Sequence, residues 1–202
     1  MFRIAIDQFK IALILVISFT ILTGLIYPVA VTGIAQLIFP KQANGSLVQI
    51  NGKTVGSLLI GQSFTNPKYF WSRPSATTPF PYNGESSSGS NMGPSNPDFL
   101  ATVKTRIADL GQFDSQTKHL IPIDLITASG SGLDPEISPL AAFYQVPRIA
   151  KIRHIPEKEL QELIANLIQN RTFGILGEPR VNVLQLNIAL DNLGSNDARK
   201  SS

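Results

Sequence analysis

The segment Ile11–Val31, IALILVISFTILTGLIYPVAV, is the most apolar part of this 202-residue chain, and no charged side chain occurs between residues 11 and 40. About 20 apolar residues in a helix cross the hydrocarbon core of a bilayer. The segment therefore predicts a retained membrane anchor. A secretory signal peptide is the alternative, because Arg3 and Lys10 would supply its charged flank, but its apolar region is usually only about 7 to 15 residues long.

The charges on either side of the apolar segment predict its orientation. Arg3 and Lys10 precede it, whereas Lys41 is the only cation soon after it. The positive-inside rule therefore favours, by a narrow margin, a cytoplasmic N-terminus and an extracytoplasmic body.

Three residues of the segment recur at four-residue spacing, namely Thr20, Gly24 and Pro28. Such a stripe allows another helix to approach closely. The alternative is that Gly and Pro are simply tolerated here, as they are in many membrane helices. The two interpretations remain open.

The composition excludes several classes of function. Seventeen Lys and Arg against fourteen Asp and Glu give a net charge of +3, without the basic run or basic–aromatic patch typical of nucleic-acid binding. The chain has no cysteine, so disulfide frameworks, thiolate metal sites and cysteine nucleophiles are all excluded. At this length one well-formed core is expected, and a second full-sized domain is not.

We predict an α+β fold: a single N-terminal transmembrane helix followed by one extramembrane α+β domain. The predicted segments are an N-terminal flank (1–10), the transmembrane anchor helix (11–33), a linker (34–45), the soluble α+β domain (46–194) and a disordered polar tail (195–202).

Within the domain, local signals predict the elements. Asn51-Gly52 between two β-type runs predicts a hairpin, and Asn96-Pro97-Asp98 predicts the start of a helix that reaches Gly111. The further predictions are an apolar helix face with Phe99, Val103, Ile107 and Leu110; a strand over Ile121–Ile126; a helix after Ser138-Pro139, kinked or broken at Pro147; a helix after Pro156; and a last helix capped by Asn182 with Gln185.

The segment 65–96 is rich in Pro, Ser, Gly and Asn, a composition typical of disordered linkers. It also contains Tyr69, Phe70, Trp71, Phe80 and Tyr82, and linkers are usually poor in aromatic residues. We therefore predict a long ordered loop that serves as a binding surface.

The stretch LITASGSGLDPEISP (125–139) combines an apolar run, a glycine turn and a helix start, which are the parts of phosphate-binding loops. It lacks the third glycine of the GxGxxG pattern, because Pro135 occupies that position, and no Walker lysine follows. Asp134 and Glu136 also place negative charge where phosphate would bind. A tight turn is the favoured interpretation, with an anion site as the alternative.

No catalytic or metal-binding constellation can be assembled from the sequence. His119 and His154 are the only histidines and lack a metal-ligand pattern. Ser129 and Ser131 lack a GxSxG frame. A cationic cluster near a predicted helix end, Arg148 to His154, is explained by the helix dipole or by an acidic or phosphate-bearing partner.

Several short stretches along nearly the whole chain resemble one known family. They are Gln42-Ala43-Asn44-Gly45-Ser46, Leu59-Ile60-Gly61-Gln62 with Phe64, Phe70 with Arg73-Pro74-Ser75-Ala76, Pro81-Tyr82-Asn83, Gly89-Ser90-Asn91, Ser95-Asn96-Pro97, Thr127-Ala128-Ser129, Ser131-Gly132-Leu133-Asp134, Gln145-Val146-Pro147-Arg148-Ile149-Ala150-Lys151, Val181-Asn182-Val183 and Leu186-Asn187. In order and spacing they are similar to the C subunit of the Kdp potassium-transporting P-type ATPase. One departure is Ser88, where the family often has glycine.

This resemblance implies a non-catalytic accessory subunit of a high-affinity potassium pump in the bacterial inner membrane. Its implied partners are a channel-like potassium-selective subunit, the ATP-hydrolysing P-type subunit, a small single-helix subunit and membrane lipid. The family acts as a catalytic chaperone that raises ATP affinity, so the resemblance implies ATP shared with the catalytic subunit and no cofactor or metal of its own. The implied nucleotide contacts are Gln145, Ser129, Gly130, Ser131, Gly132 and Arg148.

An extracytoplasmic body cannot share a cytoplasmic nucleotide, so we favour docking on the potassium entrance as the mechanism. The expected partner contacts are Thr20, Gly24, Pro28, Tyr69, Phe70, Trp71, Arg73, Tyr82, Asn83 and Asn91. The alternative function is a stand-alone anchored domain that binds a phosphate compound through the glycine turn and the cationic cluster.

Overall fold

The computed structural model describes residues 2–113 and 120–200, and it confirms the predicted α+β class. Its contacts divide the chain into two compact units, Met1–Leu47 and Val48–Ser202. The histidine at position 119 lies outside the described residues, as do residues 201–202 of the predicted tail.

The first unit is almost entirely helical. It contains α1 (Phe2–Ile21), a π-helical turn (Leu22–Ile26), α2 (Tyr27–Ile38) and the short α3 (Pro40–Ala43). Together, residues Arg3–Ile38 form one helix of 36 residues, long and apolar enough to cross a membrane. The helix includes the predicted anchor as well as most of the flank and part of the linker, and it ends before Phe39-Pro40.

The π-helical turn lies where a proline follows closely. Pro28 has no N–H group, so the usual bond to the carbonyl of Gly24 cannot form. The Tyr27 N–H instead bonds to the carbonyl of Leu22, five residues back. Gly24 therefore sits inside the widened turn, and a Cβ placed on it would meet nothing within 4 Å.

The second unit begins with the predicted hairpin. Strands β1 (Leu47–Ile50) and β2 (Lys53–Ser57) pair with each other. Asn51 and Gly52 connect them with positive φ angles of 50° and 76°, which only a glycine or a tolerant residue such as asparagine adopts at low cost. The hairpin prediction is confirmed.

The prediction of a strand over Ile121–Ile126 is wrong. This segment contains a single 3₁₀ turn, Ile123–Leu125. The turn forms because the Leu125 N–H bonds back to the Pro122 carbonyl at 3.1 Å, while the Asp124 carboxylate accepts from the Ser138 N–H at 2.7 Å. The only other paired strands among the described residues are β3 (Glu136–Ile137) and β4 (Val181–Asn182), which run antiparallel.

Five helices complete the second unit, namely α4 (Pro97–Phe113), α5 (Pro139–Tyr144), α6 (Val146–Arg153), α7 (Glu157–Leu167) and α8 (Val183–Lys200). The predicted break near Pro147 is confirmed, since α5 and α6 separate at Gln145. The predicted cap of α8 is also confirmed, because the Asn182 Oδ1 accepts from the Gln185 N–H at 3.1 Å. Helix α8 extends through residues 195–200, where a disordered tail was expected.

One core stabilises the second unit. Its largest fully buried apolar side chains are Phe70, Ile137, Ile149, Leu160, Ile164, Leu186 and Leu190. The apolar stripe of α7 faces this core as predicted. On α4 the inward positions include Arg106 rather than Ile107, which is 40% exposed. Phe70 from the long loop thus packs in the same core as residues of α5 to α8, which follow it far along the chain.

Candidate functional site

The loop over residues 65–96 is held in place by buried amide side chains instead of by a sheet. Gln145, fully buried at the α5–α6 break, accepts a hydrogen bond from the Trp71 N–H at 2.7 Å. Its Nε2 donates to the carbonyls of Trp71 and Ala141 at 3.3 and 3.1 Å. Gln145 therefore satisfies both backbone groups of Trp71, as a neighbouring strand would do.

A second amide does the same for the preceding residue. The Asn187 Oδ1 accepts from the Phe70 N–H at 2.8 Å, and the Asn187 Nδ2 donates to the Phe70 carbonyl at 2.9 Å. Asn187 is buried on α8. We call Gln145 and Asn187 the two amide clamps. Because they bind consecutive residues, they fix this part of the loop against two different helices.

Arg148 extends the first clamp. Its Nη2 donates to the Gln145 Oε1 at 2.6 Å, and its Nη1 donates to the carbonyls of Tyr69, at 3.0 Å, and Pro67. Its guanidinium lies 4.2 Å from the centre of the Trp71 ring, a cation–π distance. Arg148 is only 3% exposed, so its donors serve the loop backbone and are not presented to solvent.

The outer part of the loop is held by a charged group on the surface. The Tyr69 hydroxyl donates to Asp191 at 3.0 Å, and Arg153 pairs with the same carboxylate at 2.7 Å. Arg153 also donates to the Lys68 carbonyl at 2.8 Å and stacks 4.7 Å from the Tyr69 ring centre. Two cations of the predicted cluster, Arg148 and Arg153, thus bond within the chain.

The glycine turn packs against the same loop. The Ser131 carbonyl accepts from the Ser88 N–H at 2.9 Å, and the Gly132 carbonyl accepts from the Ser75 hydroxyl at 2.7 Å. Buried Ser129 accepts from the Gly132 N–H at 2.9 Å. Gly132 has a φ of 69°, and a Cβ placed there would lie 2.5 Å from the Ser88 carbonyl oxygen. The turn needs glycine for close backbone approach.

The departure from the family pattern at Ser88 has a simple explanation. Among the described residues with positive φ, Ser88 does not appear, so serine is accommodated there without strain. The position that needs glycine is Gly89, because a Cβ on it would lie 2.8 Å from the Gly130 carbonyl oxygen.

Arg73 and Tyr82 connect the loop to the segment that follows the glycine turn. Arg73 pairs with Asp134 at 3.1 Å, and the Tyr82 hydroxyl donates to the Arg73 carbonyl. Burial raises the pKa of Tyr82 to about 12, with the Asp134 charge acting in the same direction. The fold therefore holds Tyr82 as the neutral phenol.

Alkaline pH is expected to destabilise the chain through Tyr82. Its pKa is raised above the unfolded value of about 10, so its contribution is complete below that pH and is lost as pH rises through the folded-state pKa, about 12. We expect the free energy of unfolding to fall by about 2 kcal/mol over this interval. Urea unfolding at several alkaline pH values measures it. The Tyr82→Phe variant is the control, and an equally steep fall in that variant would contradict the assignment.

Five of the six predicted nucleotide contacts bond to other groups of the chain, namely Ser129, Ser131, Gly132, Gln145 and Arg148. The glycine turn is followed by β3 and not by a helix N-terminus, and the N–H groups of Gly132 and Leu133 already bond to serine hydroxyls. Gln145 and Arg148 are buried and bonded to the loop backbone. Among the described contacts, the glycine turn and the pair Gln145–Arg148 are connected only through the loop. Trp71 bonds to Gln145, and Arg73 pairs with Asp134 just after the turn.

The structure distributes the expected partner contacts over three environments. Phe70 and Asn83 are buried in the second unit, where Asn83 bonds to the backbone of Thr78 and Glu85. Four others are half-buried and bonded within the chain: Tyr69, Trp71, Arg73 and Tyr82. Asn91 is exposed, as are the three residues of the membrane-helix stripe: Thr20, Gly24 and Pro28.

Sequence reasoning missed the second amide clamp and the roles of Asp124 and Asp134. Asn187 lies four residues after Val183 and faces inward on a helix whose other inward residues are apolar. A polar residue on an apolar helix face is a signal for a buried hydrogen bond. Within residues 2–113 and 120–200, no group of three or more His, Cys, Asp or Glu side chains is placed to hold a metal ion.

Comparisons with known proteins agree with each other. Residues 9–192 match the family described as K+-transporting ATPase, c chain. The "Potassium-transporting ATPase KdpC subunit" of Methylococcus capsulatus is 53% identical over 188 residues, which cover 93% of this chain and 99% of that protein. Proteins with the same description from Dechloromonas aromatica and Herpetosiphon aurantiacus are each 56% identical, covering 90% and 94% of this chain and 95% and 98% of their own lengths.

Proposed function

This chain belongs to the KdpC family, the c chain of potassium-transporting P-type ATPases, and on that premise we propose that it is a non-catalytic subunit that docks on the pump and stabilises it. The family match carries the proposal, because it includes both the apolar helix and the second unit. We propose as partners the channel-like potassium subunit, the ATP-hydrolysing subunit and the small single-helix subunit.

The proposed location is the bacterial inner membrane, with the N-terminus cytoplasmic and the second unit extracytoplasmic. The apolar helix Arg3–Ile38 fits a single-pass membrane protein, and the cations before it support this orientation. Lipid surrounds the helix where partner subunits do not.

We also propose that the subunit raises the ATP affinity of the pump through contacts between subunits, with no ATP held by this chain. The support is the commitment of Gln145 and Arg148 to the loop backbone. A nucleotide contact by Gln145 would leave the Trp71 backbone groups without their partner. One by Arg148 would leave the Pro67 and Tyr69 carbonyls without theirs. Either loss is costly at a buried site. An extracytoplasmic second unit would also be separated from cytoplasmic ATP by the bilayer.

The assembly part is tested by recovering the tagged full-length chain from its native membrane in mild detergent. Mass spectrometry should identify two large polytopic partners, one of which carries a P-type phosphorylation motif. Recovery of the chain alone, under conditions that keep other membrane complexes intact, would contradict the proposal.

The ATP part needs two measurements. The KM for ATP of the purified complex should rise when this subunit is removed, while calorimetry of the full-length chain alone with ATP should give no binding heat. A KM that does not change would contradict the chaperone role. Binding heat that disappears in Arg148→Ala would instead support a nucleotide site on this chain, provided that the variant is folded.

Packing of the membrane helix is tested with Gly24→Leu. Gly24 has no atom within 4 Å of an added Cβ, so the chain itself accommodates leucine, whereas a closely packed partner helix would not. We expect several-fold lower recovery of the partners in the pull-down. Gly33→Leu is the matched control, because Gly33 is equally open and lies outside the stripe. Unchanged recovery with Gly24→Leu would remove the stripe as an interface.

A further inference from the structure

An apolar groove lies on the second unit between the 3₁₀ turn, residues 134–138 and helices α5 to α7. Two cavities of about 710 and 720 Å³ form it, and they share Pro122 and Leu140 as lining residues. We call these two joined cavities the groove. Two of its large apolar side chains, Ile123 and Leu140, are 71% and 73% exposed. Contiguous exposed apolar surface is a feature of interaction sites.

A rigid hairpin borders the second cavity. Residues 169–180 form it, with backbone bonds between Gln169 and Arg180 at 2.8 and 3.0 Å and between Thr172 and Leu176 at 2.8 and 2.9 Å. Its returning arm, Gly177 to Arg180, lines the groove. The apolar tip is open, since Phe173 and Ile175 are 88% and 74% exposed.

The rigidity of this hairpin matters for binding. An Arg171–Glu178 ion pair of 2.7 Å links its arms, and an Arg180–Glu136 pair of 2.8 Å holds its base. A surface that is already ordered loses little conformational entropy when a partner binds.

The charges around the groove identify the kind of partner. Five carboxylates line its two cavities, together with the guanidinium groups of Arg73 and Arg180. A third arginine, Arg171, pairs with the lining residue Glu178, so the surplus is two negative charges. The acidic lining residues are Asp124, Asp134, Glu136, Glu157 and Glu178. This local excess of negative charge is opposite in sign to the net charge of the whole chain, which is +3.

Two other occupants are disfavoured by these charges. The anionic headgroups of a bilayer attract basic surfaces, and an acidic groove repels them. A second copy of this chain in a two-fold arrangement would bring the same acidic surface against itself. A protein surface with an apolar ridge and flanking Lys or Arg side chains is complementary in both shape and charge.

We propose that the groove and the hairpin bind such a ridge on another chain of the same ATPase. This inference rests on the proposed function, because it requires a complex in which the ridge is present. The proposed interface is a new surface: of the expected partner contacts, only Arg73 lines the groove. The loop over residues 65–96 then serves as a scaffold beside the groove.

The test compares two substitutions at one position of the full-length tagged chain. Leu140→Lys places a cation among the proposed partner cations, whereas Leu140→Asp removes the same apolar contact without that repulsion. We expect recovery of the partner chains to fall at least tenfold with Leu140→Lys and by a smaller factor with Leu140→Asp. Leu100→Lys on α4 is the control, because Leu100 is also exposed and lines neither cavity.

The outcomes separate the inference from the proposed function. If the wild-type chain recovers no partner, the proposed function fails. If the wild type assembles and both Leu140 variants assemble equally well, the groove is not the interface. Equal losses for lysine and aspartate would overturn the cationic partner. If the Leu140 variants keep the pump partners but two differently tagged copies of the chain no longer pair, the groove binds a second copy, and the proposed partner is overturned. Unfolding temperatures of all variants must match the wild type, as the exposure of Leu140 leads us to expect.

Discussion

Replacing Gln145 by leucine is expected to lower the free energy of unfolding by about 3–5 kcal/mol. Leucine fills nearly the same volume but offers no hydrogen bond. The Trp71 N–H and carbonyl would then remain buried without their partner, and Arg148 would lose the acceptor that lies 2.6 Å away. Each such loss in a fully buried site costs about 1–3 kcal/mol. Urea unfolding of the full-length chain in detergent, followed by Trp71 fluorescence, measures the change.

A matched control distinguishes the loss of the buried clamp from the general effect of replacing a glutamine by leucine. Gln161 is exposed on α7, so Gln161→Leu should change stability by less than about 0.5 kcal/mol. Equal stability of the Gln145 and Gln161 variants would show that the clamp contributes nothing measurable.

The Gln145 result also affects the interpretation of functional experiments. A Gln145 variant that raises the ATP affinity of the pump less than the wild type has two explanations. It has lost a nucleotide contact, or it has lost part of its fold. Since the side chain is fully buried, loss of fold is the expected cause. Activity measured for such a variant therefore needs an unfolding curve of the same sample beside it.

The second large effect is expected for Gly132→Ala, at about 2–4 kcal/mol of destabilisation. Alanine at a φ of 69° is strained, and its Cβ would lie 2.5 Å from the Ser88 carbonyl oxygen and 2.6 Å from the Thr77 methyl group. Moving these groups apart would weaken the bonds between the turn and the loop, including Ser75 to the Gly132 carbonyl. The measurement is the midpoint of urea unfolding.

The neighbouring glycine of the same turn provides the control. A Cβ on Gly130 meets nothing within 4 Å, so Gly130→Ala should lie within about 0.5 kcal/mol of the wild type. If both variants were equally destabilised, the need for glycine would arise from the flexibility of the whole turn. The close backbone approach at Gly132 would then not be the reason.

Elements governed by near neighbours were predictable from the sequence. Asn51-Gly52 determines its hairpin by backbone preference alone, and α7 shows a clear apolar stripe with its helix start at Pro156. The helix after residue 182 was predicted by its cap, Asn182 with Gln185. In each case the decisive residues lie within one or two turns of the element that they determine.

The apolar pattern over residues 121–126 predicts a strand, and the chain forms a 3₁₀ turn there instead. Ile121, Ile123 and Ile126 favour a strand by composition. A strand also needs a neighbour, and here Pro122 and the bond from Ser138 to Asp124 favour a turn. The bond crosses fourteen positions, and apolar periodicity contains no information about it.

The site was the least predictable part, because its polar residues act over long separations. The family resemblance implies a nucleotide contact for Gln145 and Arg148, and the charge pattern alone suggests an acidic or phosphate-bearing partner for Arg148. Their partners are backbone groups of the loop, 74 to 81 positions earlier. Only the folded chain shows that these side chains bind the protein itself.

The amide clamps have a consequence for the order in which the protein is made. Phe70 is bound by Asn187, 117 positions later, and the Leu58 carbonyl by Asn182, 124 positions later. A ribosome releases the N-terminal part first, at about 5–20 residues per second. The aromatic loop must therefore wait for several seconds of further synthesis before its second clamp exists. During that interval the Phe70 backbone lacks its buried partner, and α8, the helix that carries Asn187, completes this part of the fold.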